Sequence, residues 1–180
     1  GYRTPDEVKR FLSKETEMFH DPFLMKDMKL GAERILSAAE KHEKTVVYGD
    51  YDVDGVTSVS ILYMYLREIG CDVGYYIPSR SAEGYGMSAE RVRELAAEGV
   101  TLIVTVDTGI TAVDEAKTAK ECGIDLVVTD HHECHGELPE AYAVINPRRQ
   151  DCPYPFKELA GVGVVFKLMC AVESVMNPED

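Results

Sequence analysis

Asp50, Asp52 and Asp54 alternate along one short stretch, straight after the apolar run Val46-Val47-Tyr48 and straight before Gly55. Three anions this close repel one another, and no Lys or Arg lies between Thr45 and Ser60 to offset them. A divalent cation would. Two more apolar runs end in similar chemistry: Thr101–Val106 leads into Asp107, and Leu126–Thr129 leads into Asp130, His131 and His132. Taken singly, an Asp after a strand is ordinarily a turn residue or a helix cap, and paired His in a loop are often solvated bystanders. Three strand ends carrying five carboxylates and two imidazoles weigh more. If the strands are neighbours, these groups share one small volume, and several carboxylates must stay protonated unless cations join them. Two divalent metals resolve the conflict.

Other cation and phosphate motifs fit less well. Asp50-x-Asp52-x-Asp54-Gly55 matches the start of an EF-hand loop, but the twelfth position is Ile61, where a bidentate Glu is needed, and the preceding segment is a strand. His131, His132, Cys134 and His135 follow no common structural zinc spacing. There is no Gly-x-x-x-x-Gly-Lys-Ser/Thr loop, and Gly84-Tyr85-Gly86 is too short for a dinucleotide fingerprint. A receiver-type phospho-acceptor domain also joins an acid cluster to a doubly wound sheet. It would want a Lys at the end of a late strand, where this chain has Asn146-Pro147-Arg148.

The elements that must position these groups follow from periodicity. Thr4 can cap a helix starting Pro5-Asp6-Glu7, with His20-Asp21-Pro22 breaking the pattern and a second helix running from about Lys29 to His42. From residue 44 short apolar strands alternate with helices: strand 46–48, helix 55–69, strand 73–77, helix 88–98, strand 101–106, helix 112–122, strand 125–129, strand 142–145 and helix 162–176. Strands apolar throughout are covered on both faces. The fold expected is therefore α/β: an open, doubly wound, mainly parallel sheet with helices on both faces, preceded by N-terminal helices. The division expected is a helical lead-in over 1–43 and the α/β domain over 44–180. In such a sheet, ligands bind in the crevice at the carboxyl ends of the strands.

Bulk properties constrain the rest. A chain of 180 residues with a 45% hydrophobic fraction is long enough for one domain with a real core. No apolar run approaches the roughly 20 residues of a membrane span, and no signal-peptide pattern or initiator Met opens the chain, which reads as part of a longer protein. Five scattered Cys with no C-x-x-C pair favour reduced thiols in a cytoplasmic protein. A net charge of −13 counts against nucleic acid in general, although a groove can be locally basic. The long irregular stretches 78–87 and 146–161 carry Arg80, Tyr85, Arg148 and Arg149, the candidates for phosphate contact and base stacking. Surface Arg residues are usually only solvated, and a loop Tyr is more often a packing anchor. Gly161 and Gly163 at the start of the last helix suit close approach to a phosphate, or tight helix packing equally well.

Taken together, Asp50-Tyr51-Asp52-Val53-Asp54-Gly55, Val106-Asp107-Thr108-Gly109-Ile110 and Asp130-His131-His132 resemble the signature motifs of the DHH phosphoesterase superfamily. Ile77-Pro78-Ser79-Arg80, Glu83-Gly84-Tyr85-Gly86, Asn146-Pro147-Arg148, Cys152–Lys157 and Leu159–Val164 are similar to its RecJ-type branch rather than to smaller relatives. The likeness covers nearly the whole chain, His20-Asp21-Pro22-Phe23 included.

The resemblance implies a metal-dependent exonuclease that hydrolyses single-stranded DNA 5′→3′ to 5′-mononucleotides in repair and recombination. It implies Asp50 and Asp52 on one Mn²⁺ (or Mg²⁺), Asp107 bridging to a second, and Asp54 and His131 on that second ion. His132 would contact the phosphate, and Asp130 would orient an imidazole. It places a further Asp-bearing motif beyond residue 180, so that the second metal site is incomplete here and this stretch alone has weak activity or none. Single-stranded DNA is the implied partner, with a single-strand-binding protein and a helicase as additional ones, and no membrane. A small DHH phosphodiesterase acting on short oligonucleotides or cyclic dinucleotides is the alternative enzyme. A non-catalytic scaffold fits less well, because such relatives lose ligands that this span retains.

Overall fold

The computed structural model describes residues 3–13, 19–79 and 86–178. Five strands, β1 (Thr45–Tyr48), β2 (Val73–Tyr76), β3 (Leu102–Val106), β4 (Asp125–Thr129) and β5 (Ala143–Ile145), form one sheet in the order β2-β1-β3-β4-β5, parallel throughout. Alternation along the strands sends successive side chains to opposite faces. Val47, Val104, Val127 and Ile145 face α2 (Met28–Glu40), α3 (Val53–Glu68) and α6 (Gly161–Met176). Val46, Tyr48, Ile103 and Val128 face α4 (Ala89–Ala97) and α5 (Val113–Glu121). The sheet is thus doubly wound, as its all-apolar strands predict, and each layer has its own core.

Local chemistry sets the element ends. In α1 (Pro5–Leu12), Glu7 N donates to Thr4 Oγ1 and Thr4 N to Glu7 Oε2, a reciprocal cap that satisfies two orphan donors. At His20-Asp21-Pro22 the chain makes a single 3₁₀ turn, Pro22–Leu24, capped by Asp21. Helix α3 starts at Val53 rather than Gly55, because the Asp52 carboxylate accepts the Gly55 N–H at 2.9 Å and so serves as its N-cap. β2, at the sheet edge, stops at Tyr76 and leaves Tyr75 exposed. The connection from β4 to β5 has no helix, and α2 covers that end of the sheet instead, with Gly31 seated against Ile145 and Val127. None of the five Cys is in a disulfide. Among the described residues no helix is long and apolar enough to cross a membrane.

Candidate metal centre at the strand ends

Register places the acids before any side chain is considered. Tyr48 pairs with Thr105, and Val106 pairs with Thr129. Two residues beyond the first pair stand Asp50 and Asp107; one residue beyond the second stand Asp107 and Asp130. Three adjacent strand ends therefore present an Asp in line. The junction of β1 and β3 is also where the strand order reverses, since β2 lies on one side of β1 and β3, β4 and β5 on the other. Such a reversal opens the crevice in which open α/β sheets bind ligands.

The Asp50 and Asp107 side chains are buried, 3% and 1% exposed, an expensive place for two carboxylates. Asp107 leaves its strand with φ of 59°, the left-handed region that Asp tolerates better than most residues. Gly55 lets the start of α3 fold back onto this corner: a Cβ there would lie 2.5 Å from the Asp50 carbonyl oxygen. Asp50, Asp52 and Asp107 each bring an oxygen into one group whose members all lie within 4.8 Å of one another. Asp107, His131 and His132 form a second such group. Asp107 belongs to both. His131 Nε2 lies 3.0 Å from Asp107 Oδ1, outside hydrogen-bond geometry, so that buried oxygen has no hydrogen-bond donor. An orphaned oxygen between two sets of hard oxygen and imidazole donors suits a divalent cation.

Asp54 sits beside this arrangement, its Oδ2 3.5 Å from His131 Nε2. Its two oxygens accept the Gly161 and Val162 N–H groups at 2.7 and 2.8 Å. Asp130, 1% exposed, accepts the Ile110 N–H on Oδ2, and the His131 and His132 N–H groups on Oδ1. The same Oδ1 lies 2.7 Å from His132 Nδ1 and fixes that ring. Burial works to raise the Asp130 carboxyl, but these hydrogen bonds prevail and hold it below the usual range. The hydrogen bond that His132 makes to Asp130 raises the imidazole in turn. Beside His132 opens a cleft of about 350 Å³ lined by Thr108, Gly109, Thr111, Glu133 and His135.

Asp107 behaves oppositely. Burial first, then repulsion from Asp54 and Asp52, pushes its carboxyl up to about 8 in the metal-free protein. Between the unfolded value of 3.8 and that folded value, the folded chain holds the extra proton, so stability falls as pH rises across the window. His132 adds to the same slope, because its contribution is complete below 6.5 and is lost as pH climbs through its raised folded value. Without metal, the thermal midpoint is expected to be lower at pH 8.5 than at pH 6, and Mn²⁺ should recover more stability at the higher pH. Equal midpoints in EDTA at both pH values would contradict a buried, repelled carboxyl.

Of the remaining candidates, Gly161 touches this site, and Arg148, Arg149 and Gly163 stand outside the two donor groups. Arg148, beside the His131-His132 loop, is held between Glu133 and Glu158. Arg149 is buried, its guanidinium bound to Asp27, Asp151 and the Val144 carbonyl. Gly163 faces Leu159 and lines an apolar cavity with Phe19, Tyr154, Phe156 and Phe166. Gly161 lies against Asp107. Arg80 and Tyr85 fall outside the described residues, and Cys134 and His135 belong to neither donor group. One residue reads from the sequence only as part of a motif, with no role of its own. Asn146, fully buried, donates from Nδ2 to the His132 carbonyl at 3.0 Å and accepts the Arg148 N–H, tying β5 to the His loop. A polar residue closing an apolar strand was the available signal.

A doubly wound parallel sheet with acids and a His pair at its central strand ends defines a class, and the sequence matches it: residues 44–180 match the DHH family, N-terminal domain, and the chain belongs to that family. Within the family it is similar to the single-stranded-DNA-specific exonuclease RecJ of Bacillus subtilis, 49% identical over 172 residues, which are 96% of this chain and 22% of that protein. A crystal structure of exonuclease RecJ bound to manganese superposes with a TM-score of 0.79 at 35% identity, over 85% of this chain and 39% of the other. RecJ from Thermus thermophilus in complex with Mn²⁺ gives 0.72 at 32% identity, over 84% of this chain and 21% of the other. The chain thus spans about a quarter of the length of the curated relatives it matches.

Proposed function

We propose that this chain supplies the metal-binding half of a single-stranded-DNA-specific exonuclease that uses Mn²⁺ or Mg²⁺. The observation that carries the reading is the sharing of Asp107 between two donor groups. That is the arrangement a bridging ligand of a two-metal phosphodiesterase needs. Asp50, Asp52 and Asp107 would hold one cation; Asp107 and His131, with Asp54 beside them, would hold the second. Cations bound there polarise a phosphodiester and lower the pKa of an attacking water.

The chain's own groups do the rest. Asp130 secures Nδ1 of His132 and leaves Nε2 as a donor for a phosphate oxygen. Asp130 favours the protonated form of that imidazole, the form that would place positive charge where negative charge develops. The burial of Asp50 and Asp107 strengthens the pull of those two carboxylates on a cation by limiting its screening by water. The resemblance to RecJ supports 5′→3′ polarity, release of 5′-mononucleotides, and a cytoplasmic role in repair beside a single-strand-binding protein and a helicase. Arg148, at the rim, would meet the phosphate backbone by exchanging an acidic partner for it.

The test uses the intact parent protein with Mn²⁺ on single-stranded DNA of graded length. Release of mononucleotides from long 5′-ended strands is expected. No release from any strand would falsify the reading, and cleavage confined to the shortest oligonucleotides would assign the site to a small phosphodiesterase instead.

A further inference from the structure

We propose that Gly161 is the positioning residue that sets the distance between Asp54 and Asp107, and that the absence of a side chain at this position governs cation affinity. The inference rests on the two-metal reading above and deepens it. On one side, Gly161 N–H grips Asp54 Oδ2 at 2.7 Å while Val162 N–H grips Oδ1 at 2.8 Å. Ala160, the residue preceding α6, has no side-chain oxygen and makes no cap. Asp54 thus supplies, from the first turn of α3, the acceptor that α6 lacks, and its negative charge suits a helix start.

On the other side, Gly161 presses on Asp107. A Cβ there would lie 2.6 Å from Asp107 Oδ1, 2.8 Å from Cβ and 2.9 Å from Cγ. A new rotamer cannot clear all three, because the Asp107 Cβ is fixed by its backbone. That backbone sits at φ of 59° in a corner with 1% exposure, which leaves no direction for retreat. Helix α6 cannot retreat either without breaking the Asp54 bonds and drawing Val164, Val165 and Leu168 out of the core. Gly161 is the first residue of α6, so its lack of a side chain is explained by the contact with Asp107 rather than by any demand of the helix. The same residue therefore touches both an acid of the shared ligand set and the acid beside His131.

Gly161→Ala is expected to weaken Mn²⁺ binding about ten- to a hundredfold, the range for groups that orient metal ligands. In the intact parent protein, binding is followed by the EPR signal of free Mn²⁺, and circular dichroism reports the fold. If the unsubstituted protein binds no Mn²⁺, the two-metal reading fails. If it binds and Gly161→Ala binds equally well, the positioning role alone is overturned. A folding defect is resolved by a double-mutant cycle with Asp107→Gly, read as thermal midpoints without metal. The added methyl should lower the midpoint when Asp107 is present and leave it nearly unchanged when residue 107 is Gly. An equal loss in both backgrounds, or a double variant that fails to fold while Asp107→Gly folds, overturns the proposal.

Discussion

Asp107→Asn should abolish the stability gained from Mn²⁺ while raising the metal-free thermal midpoint at pH 8.5. The two effects have one origin. Asp107 is buried beside Asp54 and Asp52, and above a pH of about 8 its charge is both desolvated and repelled. Asn keeps the shape, tolerates φ of 59° and carries no charge to repel. It also offers a neutral amide where both donor groups need the same carboxylate. Losing an outer partner of a metal ligand costs about 10–100-fold in affinity; losing a shared ligand should cost more, and at both positions. In the intact parent protein, mononucleotide release should therefore fall by more than about a hundredfold. Thermal denaturation with and without Mn²⁺, beside the nuclease assay, checks the pair of effects. Near-normal Mn²⁺ stabilisation in Asp107→Asn would remove Asp107 from its bridging role.

Asp130→Ala is expected to act on fold and site together. It strips the acceptor from the N–H groups of Ile110, His131 and His132 and from His132 Nδ1. Leaving the buried Ile110 N–H without an acceptor costs about 1–3 kcal/mol, and the part-buried His131 and His132 N–H groups add to it. Against a typical domain stability of about 5–15 kcal/mol this is a large share. His132 should also titrate at lower pH once its partner is gone, and its ring should turn freely. Denaturant unfolding gives the first effect, and an NMR titration of the His132 ring gives the second. An unchanged His132 titration would show that Asp130 does not set its protonation.

Much of this was readable from the chain. Each strand was visible as an apolar run, and in β3 and β4 the alternation that divides the two cores is present in Leu102-Ile103-Val104 and Leu126-Val127-Val128. Strand order was not, since local residues do not say which strands flank β1. Only the pairings of β1 with β3 and β3 with β4 bring Asp50, Asp107 and Asp130 into line. Long-range bonds were equally hidden. Asp54 reads as one rung of an acid ladder, and nothing near it announces a bond to Gly161, 107 residues away. Arg149 reads as a phosphate contact because, although Asp151 is close in sequence, the acceptors that bury it, Asp27 and the Val144 carbonyl, are not visible locally.

Those Arg149 contacts have a consequence for how the molecule ends its sheet. β5 is an edge strand of three residues, and an edge offers unpaired N–H and C=O groups to any passing strand. At Val144, Asp27 accepts the N–H and Arg149 donates to the carbonyl, while Asp27 and Arg149 also bind each other. Two charged side chains thus stand in for the strand that is not there. Another chain can add at this point only by displacing an ion pair whose Arg149 is buried and whose Asp27 is partly so, which guards the edge against self-association and aggregation.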